Sequence, residues 1–95
     1  MIIGTLLVRL LIREARTLKD KRQVVQSIKD KVSNSFNVSV AEVESLENPR
    51  VAVLGMAMVS NEAHHAKTAL GQIVQALRVH PIAELTSHEL DTMSV

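Results

Sequence analysis

The sequence predicts an α+β domain whose elements follow the order βαββαβ. Four stretches rich in Ile, Leu and Val read as strands, and two stretches between them repeat apolar residues at helical spacing. Turn or capping residues separate neighbouring segments. The 95 residues suit one domain, and no linker or low-complexity stretch interrupts them. We therefore expect residues 1–95 to form a single domain.

The four predicted strands differ in how apolar they are. Residues 2–12 have one almost wholly apolar face, and residues 51–59 are apolar on both faces, which is typical of central strands. Residues 36–44 alternate but change phase near Ala41, which predicts a bulge. Residues 82–90 form a weaker last strand. The first and third strands are therefore expected in the middle of the sheet.

Both predicted helices have recognisable ends. Thr17 is a good N-cap residue, and Asp20 three positions later completes a pattern like a capping box. The second helix is predicted over residues 62–79, with Ser60-Asn61 as its N-cap and Pro81 beyond its end. Apolar residues at helical spacing indicate one buried face on each helix.

Two βαβ units joined by a hairpin match the split-βαβ, ferredoxin-like fold. Its four-stranded antiparallel sheet has the order 4-1-3-2, and both helices cover one face. The other face would then show Ile3, Leu7 and Leu11 beside Arg9. An apolar open face of this size is unusual for a monomer, so these three residues are predicted to form an oligomer interface.

Charge is unevenly distributed along the chain. Residues 1–32 carry eight Lys and Arg against three acids, and residues 33–95 carry three against seven, within a net charge of +1. This asymmetry indicates a basic surface that faces a polyanion. Two solvated faces that attract each other within the fold or within a dimer explain it equally well.

The basic residues concentrate where the first helix begins. On a helical wheel Lys21 points towards the sheet edge, so its stem is expected to pack and its ammonium to reach out, whereas Lys19 and Arg22 face solvent. The first strand runs into the same end of the domain. Amide groups at the helix start would add an anion-binding element. The candidate nucleic-acid-binding residues are Arg13, Arg16, Lys19, Lys21 and Arg22.

Several activities are not supported by the sequence. Phe36 is the only aromatic residue, which argues against base stacking on the sheet and leaves recognition of folded RNA by backbone and shape. His64 and His65 are adjacent, so they do not chelate as an i,i+4 pair. Acylphosphatases share this size and topology, but their glycine-rich loop after the first strand is missing. We expect no enzyme, metal site, cofactor or small-molecule substrate.

The sequence also bounds where the protein works. The apolar run at residues 1–12 contains Arg9 and is too short to span a bilayer. It has no small-residue cleavage site, so it does not resemble a signal peptide. We expect a cytoplasmic protein without a membrane partner.

Three ordered segments resemble the bacterial YlxP-like family, an uncharacterised small domain. They are TLKDKRQVV (17–25), FNVSVAEVE (36–44) and MVSNE (58–62). The resemblance implies a ferredoxin-like fold and a bacterial cytoplasmic protein. It also suggests ribosome assembly or translation, because genes of the family often lie beside those for translation initiation factor two and ribosome-binding factor A. By position, the family's basic motif falls on Lys19, Lys21 and Arg22.

The sequence thus leads to one main hypothesis and one alternative. The main hypothesis is a small non-enzymatic binding protein that contacts rRNA or the ribosome through its basic residues and associates with itself. The alternative is a homo-oligomeric scaffold with no nucleic-acid role, whose basic residues meet an acidic protein surface.

Overall fold

The computed structural model describes residues 1–95 and confirms the predicted order βαββαβ. The helices are amphipathic, and neither is long and apolar enough to cross a membrane. The elements are β1 (Ile2–Leu11), α1 (Leu18–Ser35), β2 (Ser39–Glu44), β3 (Val51–Ser60), α2 (Ala63–Arg78) and β4 (Glu84–Ser94).

The sheet has the order β2-β3-β1-β4 and is antiparallel at every pairing. Read from the other edge this is 4-1-3-2, so the ferredoxin-like prediction is confirmed. The two most apolar strands, β1 and β3, lie in the middle, where both of their edges are paired. Their register places Leu7 opposite Gly55 at the centre of the sheet.

The core lies between the sheet and the helices. Every second residue of β1 and β3 points towards the helices and is buried, while the predicted apolar face of each helix closes the core from the other side. Gly4 allows α2 to approach closely, because a Cβ there would lie 3.0 Å from Leu70 and 3.2 Å from Ala66. The central core residues are Leu6, Val8, Leu10, Leu54, Met56, Ile28, Leu70 and Ile73.

Several predicted boundaries differ from the structure. β2 begins at Ser39 and not at Phe36, and β4 begins at Glu84 and not at Ile82. α1 ends at Ser35, and the Phe36 N–H donates to the Val32 carbonyl. The bulge predicted near Ala41 is confirmed and lies between Glu42 and Glu44. β4 runs to Ser94 because the ten residues of β1 offer a pairing edge over their whole length.

The predicted N-cap of α2 was also wrong. Glu62 occupies that position and makes no side-chain capping bond. The hydroxyl of Ser60 instead accepts the Glu62 N–H at 3.1 Å, forming a Ser turn before the helix. The capping box of α1 is confirmed: the Thr17 hydroxyl accepts the Asp20 N–H, and the Asp20 carboxylate accepts the Thr17 N–H.

His80 holds the connection between α2 and β4. Its Nδ1 accepts the backbone N–H groups of Ile82 at 3.1 Å and Ala83 at 3.0 Å, so this nitrogen must be unprotonated. Burial lowers the pKa of His80 below its usual 6.5, and the nearby charge of Lys31 lowers it further. The folded state therefore favours the neutral form of the His80 imidazole more strongly than the unfolded state does.

We predict that the free energy of unfolding falls as the pH drops below about 6.5. The unfolded chain takes up a proton on His80 before the folded chain does, so stability is complete above 6.5 and is lost towards the lower folded pKa. His80→Asn should keep a capping acceptor but lose this component. The measurement is urea unfolding between about pH 7 and pH 5.

His88→Gln, at an exposed position of β4, is the matched control and should retain the wild-type pH dependence. An identical pH dependence in His80→Asn and the wild type would contradict the role of His80.

Candidate functional site

Lys21 is a fully buried charged residue in the first turns of α1. Its side chain is 0% exposed, and it shares the inward face of the helix with Val25, Ile28 and Val32. The predicted packing of its stem is therefore correct. The predicted exposure of its ammonium was wrong, because the group turns under the connection between β2 and β3. Lys21 is thus not available to an external anion in this structure.

Four oxygen atoms surround the Lys21 ammonium. Nζ donates to the carbonyls of Ser45 at 2.9 Å, Leu46 at 3.1 Å and Val51 at 3.2 Å, and lies 2.7 Å from the Glu42 carboxylate. An ammonium has only three N–H donors, and the three carbonyls use them. Glu42 Oε2 is therefore held by charge and has no aligned hydrogen bond of its own. The ammonium joins one helix, two strands and the turn between them.

The Lys21 contacts fix the turn at residues 45–50. Ser45 has a left-handed backbone with φ 56°, a conformation that costs a non-glycine residue energy unless its surroundings hold it. Here its carbonyl is bound by Lys21 and also accepts the Asn48 N–H at 3.0 Å. The strain is therefore offset by contacts of the same residue's carbonyl.

The same turn is tied to the connection between β1 and α1. The Ile12 N–H donates to the Arg50 carbonyl at 2.7 Å, and Arg50 Nε donates to the Ala15 carbonyl at 3.2 Å. These bonds bring the residues that follow β1 beside residues 45–50. Arg50 was not among the candidate residues of the sequence analysis.

We call the exposed cations at this end of the domain the basic rim. None of Arg16, Lys19, Arg22 and Arg50 forms an ion pair, so their charge faces solvent. Arg13 is exposed but bonds Glu84 through Nε at 3.2 Å and its terminal nitrogen at 2.8 Å. An exposed pair of this kind is weak, so Arg13 can still turn to another anion. The basic rim consists of Arg13, Arg16, Lys19, Arg22 and Arg50.

The start of α1 already has an anion. The Asp20 carboxylate accepts the backbone N–H groups of Arg16 at 2.9 Å and Thr17 at 3.1 Å. These bonds lower the pKa of Asp20 below its usual 3.8, so the group is charged at neutral pH. The expected anion site on the amides of the helix start is therefore occupied by the protein's own side chain. External anions are left with the side chains of the rim.

The rim has the chemistry of a binding surface. It presents guanidinium and ammonium donors on exposed side chains, which suit phosphate oxygens. No group of three or more histidine and acidic side chains is arranged to hold a metal ion.

Sheet order and helix placement together define a small ferredoxin-like α+β protein. The chain belongs to the family described as "Protein of unknown function (DUF503)", whose model matches residues 3–90. It is 30% identical over 76 residues to the uncharacterised protein YlxP of Bacillus subtilis (strain 168), covering 80% of this chain and 83% of that one. The resemblance to the YlxP-like family is thereby confirmed.

A solved structure supports the fold alone. The de novo designed protein Foldit4 aligns with a TM-score of 0.57 over 100% of this chain and 99% of its own, at 14% identity. A designed protein with this topology shows that the architecture itself does not carry a function.

One residue of the Lys21 site was missed by sequence reasoning. Glu42 lies two positions after the inward-facing Val40, so its phase in β2 places it on the helix side of the sheet. A lysine in the apolar face of α1 and a glutamate at an inward position of β2 are the available signal. Each needs an opposite charge when buried, and together they predict an ion pair.

We predict that Lys21→Met destabilises the protein by about 3–5 kcal/mol. The substitution keeps the apolar stem but leaves the Glu42 carboxylate and three carbonyls without their cation. Lys19→Met is the control two residues away. Lys19 is exposed, so the control should change the free energy of unfolding by no more than about 0.5 kcal/mol.

Urea unfolding of both variants measures the difference. A Lys21→Met variant that is already unfolded in water is the extreme of the expected result. Equal stability of the two variants would contradict a structural role for the ammonium.

Proposed function

We propose that the protein is a cytoplasmic, non-enzymatic binding protein that contacts folded RNA, with rRNA as the expected target, through the basic rim. The observation that carries the proposal is that one cation at the start of α1 is buried and paired while its neighbours are exposed. The Lys21 ammonium is bound by oxygens of the protein interior, whereas Arg16, Lys19 and Arg22 are exposed and form no ion pair.

The position of these cations supports the proposal. Lys19 lies in the first turn of α1, where the helix dipole disfavours positive charge by about 0.3–1 kcal/mol when screening is weak. A phosphate backbone beside the rim would offset that cost. Nearby turns are fixed by the contacts of Lys21 and Arg50, so the charges sit on a rigid support.

The type of RNA contact follows from the side chains available. Phe36, the only aromatic residue, is partly buried against the core, so the sheet has no platform on which bases could stack. The exposed guanidinium and ammonium groups suit contacts with phosphate oxygens, which depend on backbone shape more than on sequence. Lys19, Arg22 and Lys29 also recur at spacings of three and seven residues on one side of α1, which would extend the contact along the helix.

We predict that the triple variant Arg16→Glu/Lys19→Glu/Arg22→Glu loses most of its affinity for a double-helical RNA hairpin. Each lost phosphate contact reduces the number of counterions that binding releases, so the slope of log K against log salt should flatten by roughly 3. Fluorescence anisotropy over a series of salt concentrations measures both quantities.

The matched control is Lys31→Glu/Lys67→Glu/Arg78→Glu, which changes the net charge equally at exposed positions outside the rim. It should reduce affinity much less than the rim variant. An equal loss of RNA affinity in both variants would show that affinity depends only on net charge, and it would contradict RNA binding at the rim. Co-sedimentation with ribosomal particles that survives RNase treatment would favour a protein partner instead.

A further inference from the structure

The face of the sheet opposite the helices is large and mostly apolar. We call it the open face. Ile3, Leu7 and Leu11 are partly buried on β1, while Val59 is 62% exposed on β3 and Met93 is 47% exposed on β4. No helix covers any of these residues, because α1 and α2 both pack on the other side.

The centre of the open face is hollow. Ala41, Gly55 and Ala57 have little or no side chain, and they form the floor of an open depression of about 900 Å³ beside Leu7. Val43 leans over Gly55, so close that a Cβ on the glycine would lie 3.1 Å from it. A flat sheet covered by large side chains would have no such depression. The hollow gives the face a shape that a second apolar surface can fit.

The open face has few charged residues, and the acids outnumber the cations. Arg9 is its single cation, and it lies 3.8 Å from Glu44 in a pair whose side chains are about half exposed. On β4 the exposed Glu89 and Asp91 flank the hollow and form no ion pair. The face thus has a cation on one side of its centre and two unpaired acids on the other side.

The register makes two of these charges, Arg9 and Asp91, complementary to those of a second copy. Asp91 lies opposite Thr5 on β4, whereas Arg9 lies four residues further along β1. With strands about 4.8 Å apart and a rise of about 3.3 Å per residue, Arg9 and Asp91 are about 14 Å apart and do not touch within one chain. The line in the sheet plane that is equidistant from Arg9 and Asp91 crosses β1 close to Leu7 and β4 close to Glu89, near the middle of the open face.

A two-fold axis along that line would exchange the two charges. Arg9 of each copy would then meet the partner's Asp91, and Leu7 would meet the partner's Leu7 beside the hollow. The strands of the two sheets would run within about 40° of each other, near the roughly 30° of aligned sheet packing. The same axis places Glu89 of each copy beside the partner's Glu89, because Glu89 lies opposite Leu7, and the two Arg9–Asp91 contacts must outweigh that repulsion. The apolar areas of the two faces overlap in this arrangement.

The area is sufficient for a specific contact. Strands of ten, six, ten and eleven residues present a footprint of roughly 600 Å² per copy, so a pair buries about 1,200 Å² in total. This is the lower end of the range for specific protein interfaces. The remaining edges of the sheet stay free.

We propose that the open face binds the open face of a second copy of this chain, with Arg9 against the partner's Asp91 and Leu7 at the two-fold axis. The proposal is independent of RNA binding, because Arg16, Lys19 and Arg22 belong to the start of α1, on the helix side of the sheet. The helices of both copies face outward, so each copy keeps its own rim exposed.

The first test uses the absence of cysteine in the chain. Leu7→Cys introduces a single thiol at the axis, and a short bis-maleimide should link two copies in high yield at micromolar concentration. Val79→Cys places the thiol at an 80% exposed position after α2 and should give little linked product. Equal yields from the two variants would overturn the proposed face.

The second test is a charge exchange followed by sedimentation equilibrium of the full chain. Arg9→Asp and Asp91→Arg should each weaken the dimer about tenfold or more, and the double variant should recover to within a few-fold of the wild type. Failure of the double variant to recover would overturn the pairing. A wild-type protein that is monomeric at micromolar concentration would overturn the whole proposal, even if RNA binding is confirmed.

Lys19→Glu/Arg22→Glu is the control for independence from the rim. This variant should have the same sedimentation mass as the wild type even if it no longer binds RNA. A loss of the dimer in this variant would contradict the assignment of self-association to the open face.

Discussion

The structure depends on one buried ammonium. Lys21 connects α1 to the strained turn at Ser45, to the start of β3 and to the Glu42 carboxylate of β2. A buried cation is tolerated only when its hydrogen bonds and its charge are both satisfied, and here four oxygens do so. An apolar residue at position 21 would leave those oxygens unsatisfied. The arrangement of this end of the domain therefore follows from a single side chain.

The same interaction separates structural charge from available charge. A count of residues treats Lys19, Lys21 and Arg22 as one basic cluster at the start of α1. In the structure the Lys21 side chain points inward. Hydrogen bonds to Arg50 bring the connection after β1 beside residues 45–50. The backbone N–H groups of Arg16 and Thr17 donate to the Asp20 carboxylate, so only side chains are available to an external anion. This is why the proposed RNA contact rests on guanidinium and ammonium groups and not on the helix end.

Local and periodic signals account for what the sequence predicted well. The capping box of Thr17 and Asp20 is local, and the central positions of β1 and β3 follow from their apolar composition. The contacts of the Lys21 ammonium could not be predicted in this way, because it binds backbone carbonyls, which every type of residue has. Only Glu42, a charge at an inward strand position, marked the site. The end of β4 depended on the length of its neighbour β1 and not on its own residues.

Amine reactivity reports whether the Lys21 ammonium is enclosed in the folded protein. Native protein treated with an acetylating reagent can be followed residue by residue with mass spectrometry. We expect the exposed Lys19, Lys31 and Lys67 to react quickly, while Lys21 stays unmodified until the chain is unfolded in urea. Acetylation of Lys21 in the native protein at the rate of Lys19 would contradict that expectation.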